Sequence, residues 1–304
     1  MPLQHPNFDP IAFSTPAFHI PLINVDVGSW PVHWYGIMYA VAFAQFLILG
    51  RLRVKQPHNQ TAGWTKEDLD DMLFYGVLGV FFGGRLGEVI LYHPAEYFAH
   101  PINILKVWNG GMSFHGGFVG VLVAMSLWAH KRGRKVMAVL DFIAPLVPLG
   151  YAAGRFGNFI NHELPGRPAD PNLPWAMWWP GIADGPVHPS PLYQMLVDGV
   201  LLFIILWPFA RKPKPLMAVS GMFSLLYGCA RCFTEFFRVP DYTVYVGSIP
   251  ITAGQLWSLP MIVLGIVLLV LAYRKPNSVD SNPVLTPDQT PDQTPDPTPE
   301  TKEA

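Results

Sequence analysis

Residues 252–273 read TAGQLWSLPMIVLGIVLLVLAY and contain no Asp, Glu, Lys or Arg. A helix needs about 20 consecutive apolar residues to cross the hydrocarbon core of a bilayer, so this stretch predicts a membrane-spanning helix. Six more apolar stretches precede it, at 33–50, 72–92, 110–130, 136–160, 189–209 and 219–237. They are continuous rather than alternating, which favours helices over a membrane barrel. The sequence therefore predicts an all-α polytopic membrane protein with seven transmembrane helices.

The composition agrees with a membrane protein. Of the 304 residues, 51% are hydrophobic and only 13% are charged, whereas soluble proteins carry about 25% charged residues. The formal net charge of −1 gives no basic surface for a nucleic-acid partner. Two cysteines are too few for a disulfide framework or a cysteine-based metal site. We expect no metal and no cofactor.

The basic residues predict the orientation of the spans, because cytoplasmic loops carry an excess of Lys and Arg. Only Lys106, Arg167 and Arg238 lie in one set of loops. The other set holds thirteen basic residues: Arg51, Arg53, Lys55, Lys66, Lys131, Arg132, Arg134, Lys135, Arg211, Lys212, Lys214, Arg274 and Lys275. This asymmetry predicts an N-terminus outside the cell membrane and a C-terminus in the cytoplasm, as seven crossings require.

The predicted domains follow from these spans. Residues 1–32 form an outer N-terminal segment, and 33–275 form the seven-helix domain. The loop 161–188 contains Trp175, Trp178 and Trp179, and tryptophan favours the membrane interface, so we expect this loop along the outer surface or over a site. Residues 276–304 are acidic and rich in proline, which predicts a disordered cytoplasmic tail.

Three arginines fall within predicted spans, where an ionisable group is costly and usually marks a site or a buried pair. Arg85, Arg155 and Arg231 each lie in the outer half of a span that runs outward. The predicted orientation places His33, Tyr35 and His115 at the same end. We therefore expect a polar cluster near the outer leaflet.

Local spacing pairs each arginine with a polar residue on its own helix face. Arg155 pairs with Asn158, Arg231 with Glu235, and Arg85 with Glu88. One interpretation is a set of structural ion pairs, which we favour for Arg85. The other is an anion site. Arg155 has no carboxylate on its own face nearer than Glu163, and guanidinium groups bind phosphate in a bidentate manner, so we expect a phospholipid headgroup there.

Other features have simpler interpretations. Cys229 and Cys232 are expected to be buried thiols rather than a redox pair, and Asp198 has no obvious partner on its own helix. Small residues allow helices to approach closely, which is the expected role of two glycine groups: Gly79, Gly83 and Gly87, and Gly116, Gly117 and Gly120.

Several segments resemble, in order, the segments of the bacterial prolipoprotein diacylglyceryl transferase family. The strongest is GRFGNFINHELPG at 154–166. The others are HWYG at 33–36, GGRLG at 83–87, GGMSFHGG at 110–117, HPSPLY at 188–193 and YGCARCFTEFFRVPD at 227–241. The resemblance covers about residues 8–275. Two departures are Gln194, where a relative carries glutamate, and a loop after Pro168 that is shorter; both leave the lid role of that loop open.

The resemblance implies an inner-membrane enzyme whose active site faces the periplasmic leaflet, with residues 1–32 and the loop 161–188 in the periplasm. It implies transfer of a diacylglyceryl group from phosphatidylglycerol to the lipobox cysteine of prolipoprotein signal peptides, with release of glycerol phosphate. The expected catalytic residues are His115 as base, Arg155, Arg231 and Tyr35. The expected lipid-binding residues are Arg155, Asn158, Glu163, Gly166, Tyr227, Arg231, Glu235, His33 and Arg85.

Two other classes of function fit the membrane arginines. A secondary transporter of an organic anion would carry internal repeats and discontinuous helices that meet at the midplane, and no repeat relates the two halves of this sequence. A scaffold without catalytic activity would not need Arg, His and Asn to converge. The enzyme interpretation is favoured over both.

Overall fold

The structure is a computed structural model that describes residues 2–20, 25–182 and 184–274. The predicted disordered tail, 276–304, lies outside the described residues. Helices dominate the rest. They are α1 (Trp34–Val54), α2 (Pro57–Thr61), α3 (Lys66–Gly87), α4 (Pro94–Ala99), α5 (Phe114–Lys131), α6 (Val136–Ile143), α7 (Pro148–Ile160), α8 (Ser190–Gln194), α9 (Leu202–Ala210), α10 (Ala218–Thr234) and α11 (Ala253–Arg274).

Short strands connect the helices at one end of the molecule. They are β1 (Leu3–Gln4), β2 (Ile11–Ser14), β3 (Phe18–Ile20), β4 (Val25–Val27), β5 (Pro31–His33), β6 (Met177–Trp178), β7 (Thr243–Val246) and β8 (Ile249–Thr252). β1 pairs in parallel with β6, while β2–β5, β3–β4 and β7–β8 are antiparallel pairs. The N-terminal segment is thereby attached to the loop 161–188, which carries β6.

Each predicted span corresponds to helical structure, but the predicted start of the span 110–130 and the predicted continuity of the span 136–160 need correction. A five-residue π-helix, Glu88–Tyr92, continues α3, and the π-helical stretch Met195–Leu201 joins α8 to α9. The predicted stretch 110–130 becomes helical only at Phe114, because Gly110 and Gly111 adopt positive φ. The predicted stretch 136–160 is bent by 48° between Val136–Leu146 and Pro148–Ile160. Pro148 lacks the N–H that would continue the first helix.

Among the described residues, four helices are long and apolar enough to cross a membrane: Trp34–Val54, Lys66–Tyr92, Ser190–Ala210 and Ala253–Arg274. The bent pair of α6 and α7 would make a fifth span. Two of the predicted spans fall short of this standard. α10 has only 17 residues, and α5 has 18 but carries His115, His130 and Lys131 near its ends, so neither combines the length and the apolar composition of the other helices. The protein is thus a mostly helical, multi-pass membrane protein.

Glycines set the closest helix contacts, as predicted. A Cβ at Gly83 would lie on the backbone of Gly116 and Gly120, and one at Gly79 would lie 2.7 Å from the Gly120 carbonyl oxygen. These contacts draw α3 and α5 together along most of their length. α10 and α11 meet in the same way at Gly221 and Gly265. Close backbone packing of this kind gives van der Waals attraction that lipid cannot replace.

Candidate active site

Arg155 and Asn158 lie on one face of α7, as their spacing predicts. One guanidinium nitrogen of Arg155 donates to Asn158 Oδ1 at 3.3 Å. The Asn158 amide in turn donates to Glu163 Oε2 at 2.7 Å. Asn158 is buried, whereas Glu163 is exposed at the start of the loop that follows α7. The asparagine therefore couples the orientation of Arg155 to a loop carboxylate.

Arg231 and Glu235 form the second predicted pair, at the end of α10. Their side chains make a direct ion pair. Glu235 is fully buried, and Arg238 approaches the same carboxylate at 3.9 Å. Gly254, near the start of α11, packs directly on this ion pair, because a Cβ there would collide with the Glu235 carboxylate and lie 2.8 Å from the Arg231 guanidinium. Helices α10 and α11 thus enclose the pair.

Two tyrosines bring Arg155 and Arg231 to the same place. The guanidinium of Arg155 lies over the ring of Tyr151, 4.8 Å from its centroid, and the rings of Tyr151 and Tyr227 are 5.7 Å apart. Tyr227 lies one turn before Arg231 on α10, so the contact between the two rings joins the helix faces that carry the two arginines. Tyr227 was predicted here, whereas Tyr151 was missed. Each arginine follows a tyrosine by four residues, a spacing that could have identified Tyr151.

Asp198, which has no partner on its own helix, has two on neighbouring helices. The Thr234 hydroxyl donates to Asp198 Oδ2 at 3.1 Å, and the Tyr151 hydroxyl donates to the same oxygen at 3.3 Å. Asp198 is fully buried and lies in the π-helical stretch Met195–Leu201. The carboxylate therefore links its own π-helical stretch to α7 and α10, the two helices that carry Arg155 and Arg231.

Tyr35 joins this network from α1. Its ring packs against α7, where a Cβ at Gly157 would lie 3.1 Å from it. The Tyr35 and Tyr39 rings are 5.2 Å apart, edge to face. His33, by contrast, lies exposed at the end of β5, just before α1.

Gly166 is a place where three segments of chain meet. Its N–H donates to the carbonyl of His188 at 2.9 Å, and the N–H of Arg167 donates to the carbonyl of Phe237 at 2.9 Å. A Cβ at Gly166 would collide with both carbonyl oxygens. Only glycine fits this position, which ties the loop 161–188 to the segment after α10.

His115 lies outside this network. It is exposed in the first turn of α5, and its Nδ1 is 3.1 Å from the Tyr92 hydroxyl. Its ring centroid is 5.9 Å from that of Trp257. Trp257 lies about one turn beyond Gly254 on α11, so this helix contacts both His115 and the Arg231–Glu235 pair. The structure connects the expected base to the arginines through α11 rather than by direct contact.

Arg85 does not form the predicted pair with Glu88. All five of its guanidinium N–H groups are used by backbone carbonyls, and Glu88 instead contacts His93 Nδ1 at 2.8 Å. The acceptors are the carbonyls of Asn103, Ile104, Lys106, Gly110 and Gly111. The loop supplies five acceptors, whereas Glu88 would supply one carboxylate. No N–H remains for an external anion, which argues against the predicted lipid contact of Arg85.

Cys229 and Cys232 are both free thiols; Cys229 is exposed and Cys232 is half-buried. Among residues 2–20, 25–182 and 184–274, no three His, Cys, Asp or Glu side chains are arranged to hold a metal ion.

Known proteins are similar to this chain over most of its length. The family described as prolipoprotein diacylglyceryl transferase matches residues 22–271. Three similar proteins carry the name phosphatidylglycerol–prolipoprotein diacylglyceryl transferase. One from Janthinobacterium sp. (strain Marseille) is 63% identical over 89% of this chain and 98% of its own length. One from Ralstonia pickettii is 50% identical over 92% of this chain and 98% of its own. One from Cupriavidus metallidurans is 53% identical over 90% and 97%.

The match extends across all the elements that build the site, from the last residues before α1 to within three residues of the end of α11. This chain therefore belongs to the prolipoprotein diacylglyceryl transferase family.

Proposed function

We propose that this chain transfers the diacylglyceryl group of phosphatidylglycerol to the cysteine thiol of a prolipoprotein lipobox. The observation that carries the proposal is that Arg155 and Arg231, on two different helices, each lie one turn after a member of the contacting Tyr151–Tyr227 pair. Two guanidinium groups in a half-buried, membrane-embedded position suit one phosphate of a lipid headgroup.

The arginines would act on the leaving group. The cysteine sulfur attacks the carbon of the diacylated glycerol that bears the phosphate oxygen. A C–S bond forms there, and the bond between that carbon and the phosphate oxygen breaks. Negative charge then accumulates on the departing glycerol phosphate. Fixed positive groups stabilise such charge more strongly in a water-poor site than in water. Arg155 and Arg231 are therefore assigned to charge stabilisation in the transition state.

His115 would take the proton of the attacking thiol. A free thiol has a pKa of about 8.5, so a base is needed to form the thiolate near neutral pH. If Nδ1–H of His115 donates to the Tyr92 hydroxyl oxygen, Nε2 is left as the acceptor. The exposed position of the ring leaves it accessible to a peptide substrate.

The remaining residues would hold the lipid and the arginines. Asn158 and Tyr35 are assigned to the phosphate oxygens, with Tyr227 beside them. Glu163 and Glu235 orient Asn158 and Arg231 through the contacts described above. Gly166 keeps the outer loop against the site, and His33 lies at its outer edge.

We also propose the complete membrane arrangement predicted from the sequence. Seven spans cross the inner membrane, with α5 and α10 among them. Residues 1–32 and the loop 161–188 lie in the periplasm, the tail 276–304 lies in the cytoplasm, and the active site faces the periplasmic leaflet. The distribution of basic residues supports this orientation.

The test is an assay in detergent with labelled phosphatidylglycerol and a lipobox peptide. We expect the wild-type protein to form a thioether-linked lipid. Arg155→Ala and Arg231→Ala should each lower kcat about 10²–10³-fold, the usual effect of losing one group that stabilises an oxyanion. Arg51→Ala, an exposed arginine outside the site, is the control and should retain full activity. Near-normal turnover in both arginine variants would overturn the assignment, and lipid binding or transport without product would favour an anion carrier.

A further inference from the structure

The helix that begins at Ser190 carries a row of polar residues on successive turns. Ser190, Gln194 and Asp198 are four residues apart, so they lie on one face. Their relative exposures are 1%, 0% and 0%. Polar side chains are seldom buried so completely without hydrogen bonds. Asp198 follows the rule, because Thr234 and Tyr151 donate to it.

Ser190 and Gln194 do not follow it. Among the described residues, the hydroxyl of Ser190 and both amide atoms of Gln194 have no hydrogen-bond partner. Oε1 of Glu235 is also unpartnered, although its other oxygen pairs with Arg231. A glutamine amide can donate two hydrogen bonds and accept two, so Gln194 forgoes its entire capacity.

These atoms belong to one region of the molecule. α8 packs against α7 and α10. The bond between Thr234 and Asp198 brings the end of α10 beside this helix, one turn from Gln194. Glu235 is the next residue after Thr234, and Arg231 lies one turn before it. The unpartnered donors and acceptors therefore lie on packed helical segments, one of which, α10, carries the arginine that the proposed function assigns to the lipid phosphate.

We propose that Ser190, Gln194 and Oε1 of Glu235 form the subsite for the hydroxyl groups of the lipid headgroup. The inference rests on the proposed function and extends it from the phosphate to the glycerol attached to it. A glycerol headgroup offers two hydroxyls, each a donor and an acceptor, which suits a set made of an amide, a hydroxyl and a carboxylate oxygen. An ammonium headgroup offers no acceptor to the amide, and Arg231 and Arg238 repel it.

The subsite would select the substrate by its hydroxyl groups. A site built to hydrogen-bond a hydroxyl discriminates strongly against an analogue that lacks it, because the buried polar groups of the site are then left unpaired. Phosphatidylethanol is the appropriate analogue, since it keeps the charge and the phosphodiester of phosphatidylglycerol but has no headgroup hydroxyl.

The decisive variant is Gln194→Met, which keeps the length of the side chain and removes its hydrogen-bonding groups. We expect the wild-type protein to prefer phosphatidylglycerol over phosphatidylethanol in kcat/KM. In Gln194→Met, kcat/KM for phosphatidylglycerol should fall about tenfold or more, while that for phosphatidylethanol stays the same or rises. Ser190→Ala should change the ratio in the same direction by less.

Thermal unfolding without lipid gives a second readout. Gln194→Met should leave the melting temperature unchanged or raise it, because an apolar side chain of similar length replaces a buried amide without partners. Gln45→Met is the matched control. Gln45 is also a glutamine within a span; its amide donates to the Leu146 carbonyl and its Oε1 has no partner. The ratio of activities on the two lipids should be that of the wild type in this control.

Three results would overturn the inference while leaving the proposed function intact. They are a loss of activity on both lipids that leaves the ratio unchanged in Gln194→Met, full activity of Gln194→Met on both lipids, and an increase in the KM for the lipobox peptide in place of a changed lipid preference. The last result would assign the subsite to the peptide backbone. If the wild-type protein forms no product from phosphatidylglycerol, the proposed function itself fails.

Discussion

Asp198 carries a carboxylate in the middle of an apolar helix and is held there by groups from two other segments, Thr234 and Tyr151. Arg85 is held in a comparable way by five backbone carbonyls. Burying a charge is tolerated only when hydrogen bonds or counter-charges replace water. At the residue scale, Asp198 and Arg85 are stabilised by partners that lie far away in the sequence.

Tyr92 is expected to position His115 for proton transfer. Tyr92→Phe keeps the ring but removes the hydroxyl that contacts His115 Nδ1, so the imidazole loses the group that fixes its tautomer and orientation. A general base contributes about 10²–10⁴-fold to a rate. We expect His115→Gln to lower kcat within that range and Tyr92→Phe to lower it by a smaller factor, about tenfold. The measurement is kcat as a function of pH.

In a protein that already carries His115→Gln, Tyr92→Phe should cause no further loss of kcat, whereas a purely structural role of the hydroxyl would add its own loss. Tyr245→Phe, a change at an exposed tyrosine of β7, is the control. A wild-type profile in Tyr92→Phe would show that the hydroxyl does not act on His115.

At the scale of elements, α3 and α5 are joined by glycines whose positions leave no space for a side chain. Gly79, Gly83 and Gly87 face Gly116 and Gly120 across the interface. The recurrence of glycine every four residues predicts this contact, because residues four apart lie on the same helix face. Here the sequence is informative, since close packing needs a continuous stripe of small residues on both helices.

Gly83→Ala should destabilise the protein by about 1–3 kcal/mol, the usual effect of inserting a methyl group into packed structure. The new Cβ would collide with the Gly116 carbonyl and lie 2.7 Å from Gly120 Cα, and the backbone cannot rotate away as a side chain can. Thermal unfolding in detergent measures the loss. Gly76→Ala on the same helix is the control, because the nearest atom to its Cβ is Met125 Cε at 3.9 Å. Equal melting temperatures in the two variants would contradict the packing argument.

The N-terminal segment is a separate element that docks through His5. The ring of His5 contacts Phe159 and Trp179 at centroid distances of 4.4 Å each, and His162 at 4.6 Å. Its two nitrogens face the carbonyls of Pro6 and Phe159. Burial lowers the pKa of His5 below its ordinary value of 6.5, although the two carbonyls oppose the shift.

A lowered pKa means that the docked state disfavours the protonated ring. Docking should therefore be strongest above pH 6.5 and should weaken as the pH falls below it, because the undocked ring then gains a proton that the docked ring does not. The hydrogen-exchange protection of residues 3–5, which bond to the loop through β1 and β6, should fall between pH 6.5 and 5 when each rate is compared with the intrinsic rate at the same pH. His5→Phe should show no such change. Equal pH dependence in both proteins would exclude His5 as the cause.

At the scale of the whole molecule, the membrane arrangement is the largest property to test. Four helices, or five with the bent pair, meet the length and composition of a span among the described residues, whereas the proposal has seven. Labelling of single cysteines in intact cells distinguishes the two. Single cysteines placed at the exposed positions Glu96, Asp184 and Tyr245 should react with an impermeant thiol reagent. Single cysteines at Lys135 and Lys212 should react only after the membrane is opened.

The background for this experiment is Cys229→Ala with Cys232→Ala, since both native thiols are free. Labelling of Lys135→Cys in intact cells would show that α5 does not cross. Labelling of Lys212→Cys in intact cells would contradict the proposed crossings of α9 and α10. The reverse pattern at all positions would invert the orientation predicted from the basic residues.

The sequence by itself determined the class of protein and the local pairs. Apolar length and charge content are local properties, so the helices were predictable from the sequence. The spacing of residues along a helix also predicted the hydrogen bond of Arg155 with Asn158 and the ion pair of Arg231 with Glu235. The partners of Asp198 and the carbonyls around Arg85 were not predictable.

These features depend on contacts between residues far apart in the chain, and the backbone acceptors of a loop leave no pattern in the sequence. Only the packing of α7, α8, α10 and α11 decided which polar groups meet behind the two arginines. It also decided that Gln194 and Ser190, which composition presents as ordinary helix residues, have buried side chains without partners. Each of these outcomes depends on which helix faces which, and that is fixed by the close fit of many side chains at once.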